Sequence, residues 1–369
     1  MSMRGDKNAG RFSVWGIQWQ VRSPGFEIND LGQMRRADQV ALSGDFGLRD
    51  TKPHRKLRYW QVSHSFNTFF NYGWYRAPLT VNENISLTLP NFVQFSHRTS
   101  IISRGLSDEL TRGGPLMATP LGWSGQTTLQ SRAGAPLTWN GRITWSKDEI
   151  GSWMYEVSAG IALRIKPRWQ ATITPRYNQS VDRRQYVNTL GGGPSATFGS
   201  RYVFAAIERS TIAAQIRVNY AFTPDLTLEG YAEPFAASGR YYDLGELSAP
   251  QSRTLLFYGG SSTAKDPGAS AAGATLTRNT NGGYVASTGG PTFTVVATNP
   301  DFNRLSFRSN LVLRWEWARG STFFLIWQQA RQGATTLGER VRPGSLWDAT
   351  TAAGDNFLAL KITYWIAAR

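Results

Sequence analysis

The sequence predicts an all-β fold, an antiparallel transmembrane β-barrel of about sixteen strands with long extracellular loops and short periplasmic turns. Three observations predict it. Apolar and polar residues alternate over segments of about 11–16 residues, roughly twice the ordinary globular strand. Tryptophan and tyrosine gather near the ends of those segments, and short turns alternate with long loops along the chain. The organising unit is Asn303–Gly333. There Leu305, Phe307, Leu311, Leu313, Trp315 and Trp317 share one face, and Ser306, Arg308, Asn310, Arg314 and Glu316 share the other, because successive side chains of a strand point to opposite sides. Arg319–Ser321 turns the chain, and Thr322–Gln332 returns with Phe323, Leu325 and Trp327 on one side. A soluble sandwich or propeller would alternate too. Strand length, aromatic placement and the pattern of loop lengths favour the barrel.

The other strands follow in order. Arg11–Arg22 sets Trp15, Ile17, Trp19 and Val21 on one face; Asp38–Leu48 alternates through Val40, Leu42 and Phe46; Leu57–Tyr72 carries Trp60, Val62, Phe66 and Phe70. Leu79–Leu89 and Val93–Ser103 form a hairpin across Pro90–Asn91, and a polar loop leads to Leu121–Ala133. Leu137–Lys147 is the cleanest alternation, and Ser152–Ile165 repeats it before Lys166–Pro167 turns into Trp169–Gln179. Arg183–Leu190, Arg201–Glu208, Thr211–Phe222 and Leu226–Arg240 come next, and Asp355–Ala367 closes the chain. Counting Arg183–Leu190 as a strand puts the five tight turns (at Pro90, Ala133, Lys166, Thr223 and Arg319) on one side. Residues 244–300 read as a long loop of Gly, Ser, Ala and Thr. No capped helical pattern appears, and no linker divides residues 1–369, which read as one barrel domain.

Composition narrows the function. No apolar run approaches the roughly 18 residues of a membrane helix. With no cysteine, disulfides, thiol nucleophiles and cysteine-ligated metals are excluded. The net charge of +15 calls for an anionic counterpart. The basic residues are dispersed, dense only at Arg49–Arg58 and Lys166–Arg168, so nucleic acid is not the expected partner; outer-membrane lipid and lipopolysaccharide, or anionic solutes in a lumen, are. By parity the lumen set is Arg142, Glu156, Arg164, Arg217, Glu229, Glu233, Arg308, Arg314, Glu316 and Lys361. It suits a bracing network, an anion-favouring passage or a surface for a plug. The membrane-girdle aromatics are Trp15, Trp19, Trp60, Trp153, Trp169, Trp315, Trp317 and Tyr364.

Catalytic chemistry is not evident. His54 lies in a basic turn, and His64 and His97 lie in strands. His64 falls on the apolar parity, which points to a girdle position or a register break. Leu190–Pro194 is glycine-rich but precedes no helix, which a phosphate cradle requires. The pairs Asp108/Glu109 and Asp148/Glu149 read as solvated loop carboxylates. Glu229 and Glu233 stand about 13 Å apart along a strand, beyond the spacing of a glycosidase pair. No catalytic residue, metal or cofactor is expected.

Four stretches carry a resemblance: SPGFEINDLG, LTRGGPLM, RYVFAAIERSTIAAQIRVNYAFTPDLTLEGYAEPFAASGRY and NPDFNRLSFRSNLVLRWEW. They resemble the C-terminal part of bacterial outer-membrane proteins of the domain of unknown function 5916 family, over nearly the whole chain. The resemblance implies an upstream signal peptide, a domain similar to family 9 carbohydrate-binding modules, and further barrel sequence. Some members are labelled membrane-associated hydrolases. The expectation is an outer-membrane barrel, or the later part of one, for passage or surface handling of solutes such as oligosaccharides. The alternative is the barrel anchor of a hydrolase whose catalytic or sugar-binding part lies upstream. MSMRGDKNAG has no export signal, so the reading takes the chain as a fragment of a longer precursor or a mis-started gene. The barrel-insertion machinery is a further expected partner, reading Tyr364–Trp365.

Overall fold

In the computed structural model, which describes residues 1–27, 36–166, 168–260, 268–270 and 273–366, alternating sequence becomes paired strand almost throughout. β1 (Ser2–Lys7), β2 (Ser13–Arg22), β3 (Gln39–Asp50), β4 (Tyr59–Phe70), β5 (Thr80–Thr88) and β6 (Gln94–Ile102) follow as hairpins. A small hairpin, β7 (Gly105–Ser107) and β8 (Met117–Thr119), stands apart from the main sheet. β9 (Gly122–Gln130), β10 (Leu137–Asp148) and β11 (Trp153–Lys166) lead to three tall strands, β12 (Trp169–Gly191), β13 (Ser200–Ala221) and β14 (Leu226–Leu247). β15 (Leu255–Phe257) pairs on β14, and β16 (Ala269–Ser270) pairs parallel to β15. β17 (Ala274–Arg278), β18 (Gly282–Thr288) and β19 (Phe293–Thr298) form a separate three-stranded sheet. β20 (Phe302–Ala318), β21 (Ser321–Gly333) and β22 (Gly354–Thr363) complete the main sheet, β20 pairing back onto β14.

That sheet has seventeen strands; without β15 and β16, fifteen make one antiparallel meander. Its edges are β1 and β22, each paired on one side only among the described residues. An odd number of alternating strands leaves β1 and β22 running in the same direction. The turns at Pro90–Asn91, Ala133–Pro136, Thr223–Asp225 and Arg319–Ser321 all fall at one end of the sheet, as expected. So does the β11–β12 connection, although Pro167 itself lies outside the described residues.

Sixteen strands are antiparallel, as expected, but they are not the same sixteen that the alternation predicts. Arg183–Leu190 is the upper part of β12, and Arg201–Glu208 and Thr211–Phe222 are one strand, β13. The two mergers remove two strands and β1 adds one, so the five turns still share an end. The break in β12 has a physical cause. Bulges between Asp182 and Gln185 and between Tyr186 and Asn188 swap which residues face which side, so the period of two is lost although pairing continues.

The three buried clusters lie toward the loop end, mostly on the tall strands. Val203, Ala205 and Leu244 pack against Tyr258, Tyr284, Ala286 and Val295 of the 248–301 segment. Sequence shows that segment as a run of small residues, but its buried aromatics hold β17–β19 on the sheet. Met117 packs with Tyr202, Phe204, Leu247, Leu255 and Phe257. Ile212, Ala236 and Leu305 are covered by Val341 and Ala349, the latter on a short helix, α1 (Gly344–Thr351). That helix was not expected: it runs for only eight residues without a side-chain cap, and its opening proline is the one start signal it carries. Among the described residues no helix is long and apolar enough to cross a membrane.

Candidate functional site

Register decides what each face carries. Across β2–β3 the apolar pairs are Trp15–Phe46 and Trp19–Leu42. Across β10–β11 they are Leu137–Leu163, Trp139–Ile161, Ile143–Val157 and Trp145–Tyr155. Across β14–β20–β21 they are Leu228–Leu313–Leu325 and Gly230–Leu311–Trp327. In each of these three sets of strands one apolar face runs in register, and it is open: Ile143 is 52% exposed, Trp15 45% and Leu311 38%.

The opposite face is polar, and it brings some of the expected charges together. Glu233 on β14 stands directly across from Arg308 on β20, and Tyr231 donates a hydrogen bond to the Glu233 carboxylate. The Arg217 guanidinium lies 5.1 Å from the centre of the Tyr231 ring, and the Gln215 amide reaches the Tyr231 hydroxyl at 3.4 Å. Arg314 and Glu316 pair with each other at 3.1 Å. Tyr231, Arg308, Asn310, Gln328 and Asp355 line an open cleft of about 400 Å³. In its wall the side-chain oxygen of Asn310 is buried without a donor. A buried acceptor left unpaired costs about 1–3 kcal/mol; the cleft itself presents a cation, a carboxylate and amides from Arg308, Asp355, Gln328 and Gln329.

Other expected charges stay apart. Arg142 faces Ser158 and Thr128, and Glu156 faces Thr144 and Asn178. Arg164 lines a second opening with Thr138, Asn140, Thr172 and Thr174. Glu229 sits between Asn219 and Val312. The Lys361 ammonium lies 6.0 Å from the Phe324 ring centre. Tyr231 was missed from the sequence, although it shares the parity of Glu229 and Glu233; it was passed over as an aromatic on a face read for charge.

The loop end is tied together by ion pairs that no local pattern signals. Arg36 reaches the Asp108 carboxylate through two nitrogens, at 2.6 and 2.7 Å, and Tyr75 donates to Asp108 at 2.8 Å. Burial and the Asp108 carboxylate push the Tyr75 phenol up to about 12. Burial alone would raise Asp108, but Arg36 and Tyr75 outweigh it and hold the acid below its usual range. Glu149 accepts from Arg104 and Arg253 and is drawn down to about 2, chiefly by Arg104. Further along, Arg201 and the Tyr258 hydroxyl both meet Glu246, at 2.8 and 2.7 Å. Asp108 and Glu149 are thus paired loop braces, while Glu109, which meets Arg36 at 2.8 Å, stays solvated as expected.

Segment LTRGGPLM occupies this region. Thr111 is buried and donates to the Pro115 carbonyl at 2.8 Å. Any side chain on Gly114 would strike the Tyr202 ring, 2.3 Å from the place of a Cβ. Met117 is buried under β15. The family profile described as domain of unknown function (DUF5916) matches residues 1–254.

The chain belongs to the DUF5916 family.

The match takes in three of the four stretches quoted above and ends before Asn299, so it is shorter than the near-complete coverage expected. No curated protein matches the chain. In this DUF5916 chain the first stretch runs partly outside the described residues; the second is the packed 110–117 loop, and the third is β13 and β14. The aromatics sort by end. Trp15, Trp60, Trp169, Trp315, Trp317 and Tyr364 lie toward the short-turn end, while Trp153 lies at the loop end beside Tyr155, ring centres 5.6 Å apart. Trp19 lies toward the loop end of β2.

Proposed function

We infer that this DUF5916 chain is wall of a bacterial outer-membrane β-barrel that handles passage of polar solutes, oligosaccharides among them. The observation that carries the reading is the two-faced sheet: an exposed, largely apolar face in register across β10–β11 and β14–β20 on one side, and on the other a polar face with the Tyr231–Arg308–Asn310 cleft. Water would penalise the first face, whereas a lipid bilayer solvates it, with the backbone satisfied strand to strand. The belt on β10, Leu137 to Trp145, has the length that crosses a bilayer at the usual tilt, about 9–11 residues. Because β1 and β22 run in the same direction, an all-antiparallel ring takes an odd number of further strands, and we read the sheet as part of a larger barrel. In the cleft, Tyr231 offers a ring, Arg308 and Gln328 offer donors, and Asp355 offers an acceptor, a set that suits a polyhydroxylated or anionic solute.

The first test is a heat-modifiability gel on the chain refolded in detergent, followed by conductance in planar bilayers with and without oligosaccharide. A compact, SDS-resistant unboiled form and a conductance blocked by the sugar are expected of the closed ring, in this chain or, where its further strands are needed, in the longer gene product. Replacing Arg308 by Glu should lower anion preference. Absence of the heat shift, both in this chain and in the longer gene product, would remove the barrel reading. Sugar hydrolysis without conductance would favour an anchor for a hydrolase.

A further inference from the structure

One part of the apolar face is not apolar. His64 on β4 stands directly across from Glu83 on β5. Glu83 faces Thr99 on β6, and Thr99 faces Gly125 on β9. One row over, His97 faces Thr127. These residues share the parity of Val62, Phe66, Val81, Ile85, Phe95 and Ile101. The expected explanations for His64 do not hold: β4 keeps unbroken register with β3 and β5, and His64 lies mid-strand rather than in a girdle.

The two halves of the patch differ. His97 is satisfied, one ring nitrogen 2.9 Å from Thr127 Oγ1 and the other 2.9 Å from Thr99 Oγ1. His64 and Glu83 are exposed, and among the described residues neither side chain has a hydrogen bond or ion pair. An ionisable residue on a lipid-facing strand is expensive and ordinarily finds a partner.

We propose that a second copy of this chain docks here, about a two-fold axis along the membrane normal that passes between β4 and β5. The inference rests on the membrane-barrel reading above. The supporting argument is charge complementarity. A two-fold contact is isologous, residue i meeting j and j meeting i, so an acid and a base side by side at one depth are self-complementary. Rotation about that axis places Glu83 against the partner's His64 and His64 against the partner's Glu83. Phe66 and Val81, the next pair along the strands, supply an apolar flank that packs against itself.

The absence of native cysteine makes the test clean. Val81→Cys near the axis and Leu311→Cys on the apolar face of β20 are each introduced alone, refolded into vesicles and treated with a short bis-maleimide linker. Heat modifiability is read on the same samples. Val81→Cys should give a covalent dimer and Leu311→Cys should not. Adding Glu83→Gln should lower the dimer yield about tenfold, the factor that ~1.4 kcal/mol commands, with the heat shift intact. Combining His64→Glu with Glu83→His should restore it. If both cysteine variants show the heat shift but cross-link equally or not at all, the dimer inference is overturned and the barrel reading stands. If neither variant inserts or shows the heat shift, and the longer gene product shows none either, the barrel reading itself fails, and this inference with it.

Discussion

Arg104 closes on Glu149 across forty-five residues of sequence, its Nε 2.8 Å from the carboxylate, and the same Glu149 oxygen accepts from Arg253 at 3.0 Å. Three separate loops are thereby pinned at one end of the sheet. The folded-state acidity of Glu149, about 2, lies below its ordinary value of 4.5. A carboxylate depressed on folding contributes stability above its unfolded value and loses it as pH falls through the folded one. The contribution should be complete above about pH 4.5 and vanish toward about pH 2. Both arginines are substantially exposed, so Glu149→Gln should cost only about 1 kcal/mol at neutral pH and nothing at the acid limit. Protease sensitivity of the 103–121 loop against pH measures it; an equal loss at every pH would contradict the assignment.

Tyr258 is fully buried and donates to Glu246, linking the 248–301 segment to the tall strands. Tyr258→Phe should cost about 1 kcal/mol for the hydrogen bond. Tyr258→Ala should cost about 3–5 kcal/mol by leaving a cavity and release the segment to proteolysis while the heat-modifiable form persists. Global loss of that form in Tyr258→Ala would mean the segment is integral to the sheet.

Neighbouring residues on β10 should behave oppositely. Ile143 belongs to the apolar face and Arg142 to the polar one. At mid-bilayer, Ile143→Arg should cost about 2–4 kcal/mol, whereas Arg142→Ala should stay within about 0.5 kcal/mol. Urea titration of the refolded chain in lipid would show it; reversed costs would mean that the faces have been assigned the wrong way round.

The Trp365 amide donates to Ser321 Oγ at 3.1 Å, and a Cβ on Gly320 would sit 3.0 Å from that of Trp365. Gly320 also holds φ +75, a conformation that glycine adopts freely. Trp365→Ala should lower assembly yield several-fold in vivo, and removal of Ile366–Arg369 should have the smaller effect. The opposite ranking would transfer the insertion signal away from Tyr364–Trp365.

Much of the fold was readable because a strand's side-chain period is a local property. Leu137–Trp145 and Leu305–Trp317 declare their faces without reference to any neighbour, and turns such as Thr223–Asp225 mark their own ends. From the same parity the charges Glu233, Arg308, Arg314 and Glu316 could be placed on one side. Pairing between strands is what sequence does not carry. It joined Glu233 to Arg308, left Arg142 and Glu156 without a charged residue opposite, and aligned His64 with Glu83.

What sequence by itself determined, then, is the two-faced strand, its turns and the all-β class, since these follow from backbone geometry over ten residues or so. Tertiary structure alone decided the rest. It made β12 and β13 single tall strands: bulges in β12 interrupt the period while the strand stays paired beyond them, and β13 pairs in unbroken register through Glu208–Thr211. It folded the described parts of 248–301, and 334–353, onto the sheet, because burying Tyr258, Val295 and Val341 takes partners from distant strands. It brought Arg36 to Asp108 and Arg104 to Glu149, because attraction between charges depends on distance in space, and loops carry no period from which that distance could be read.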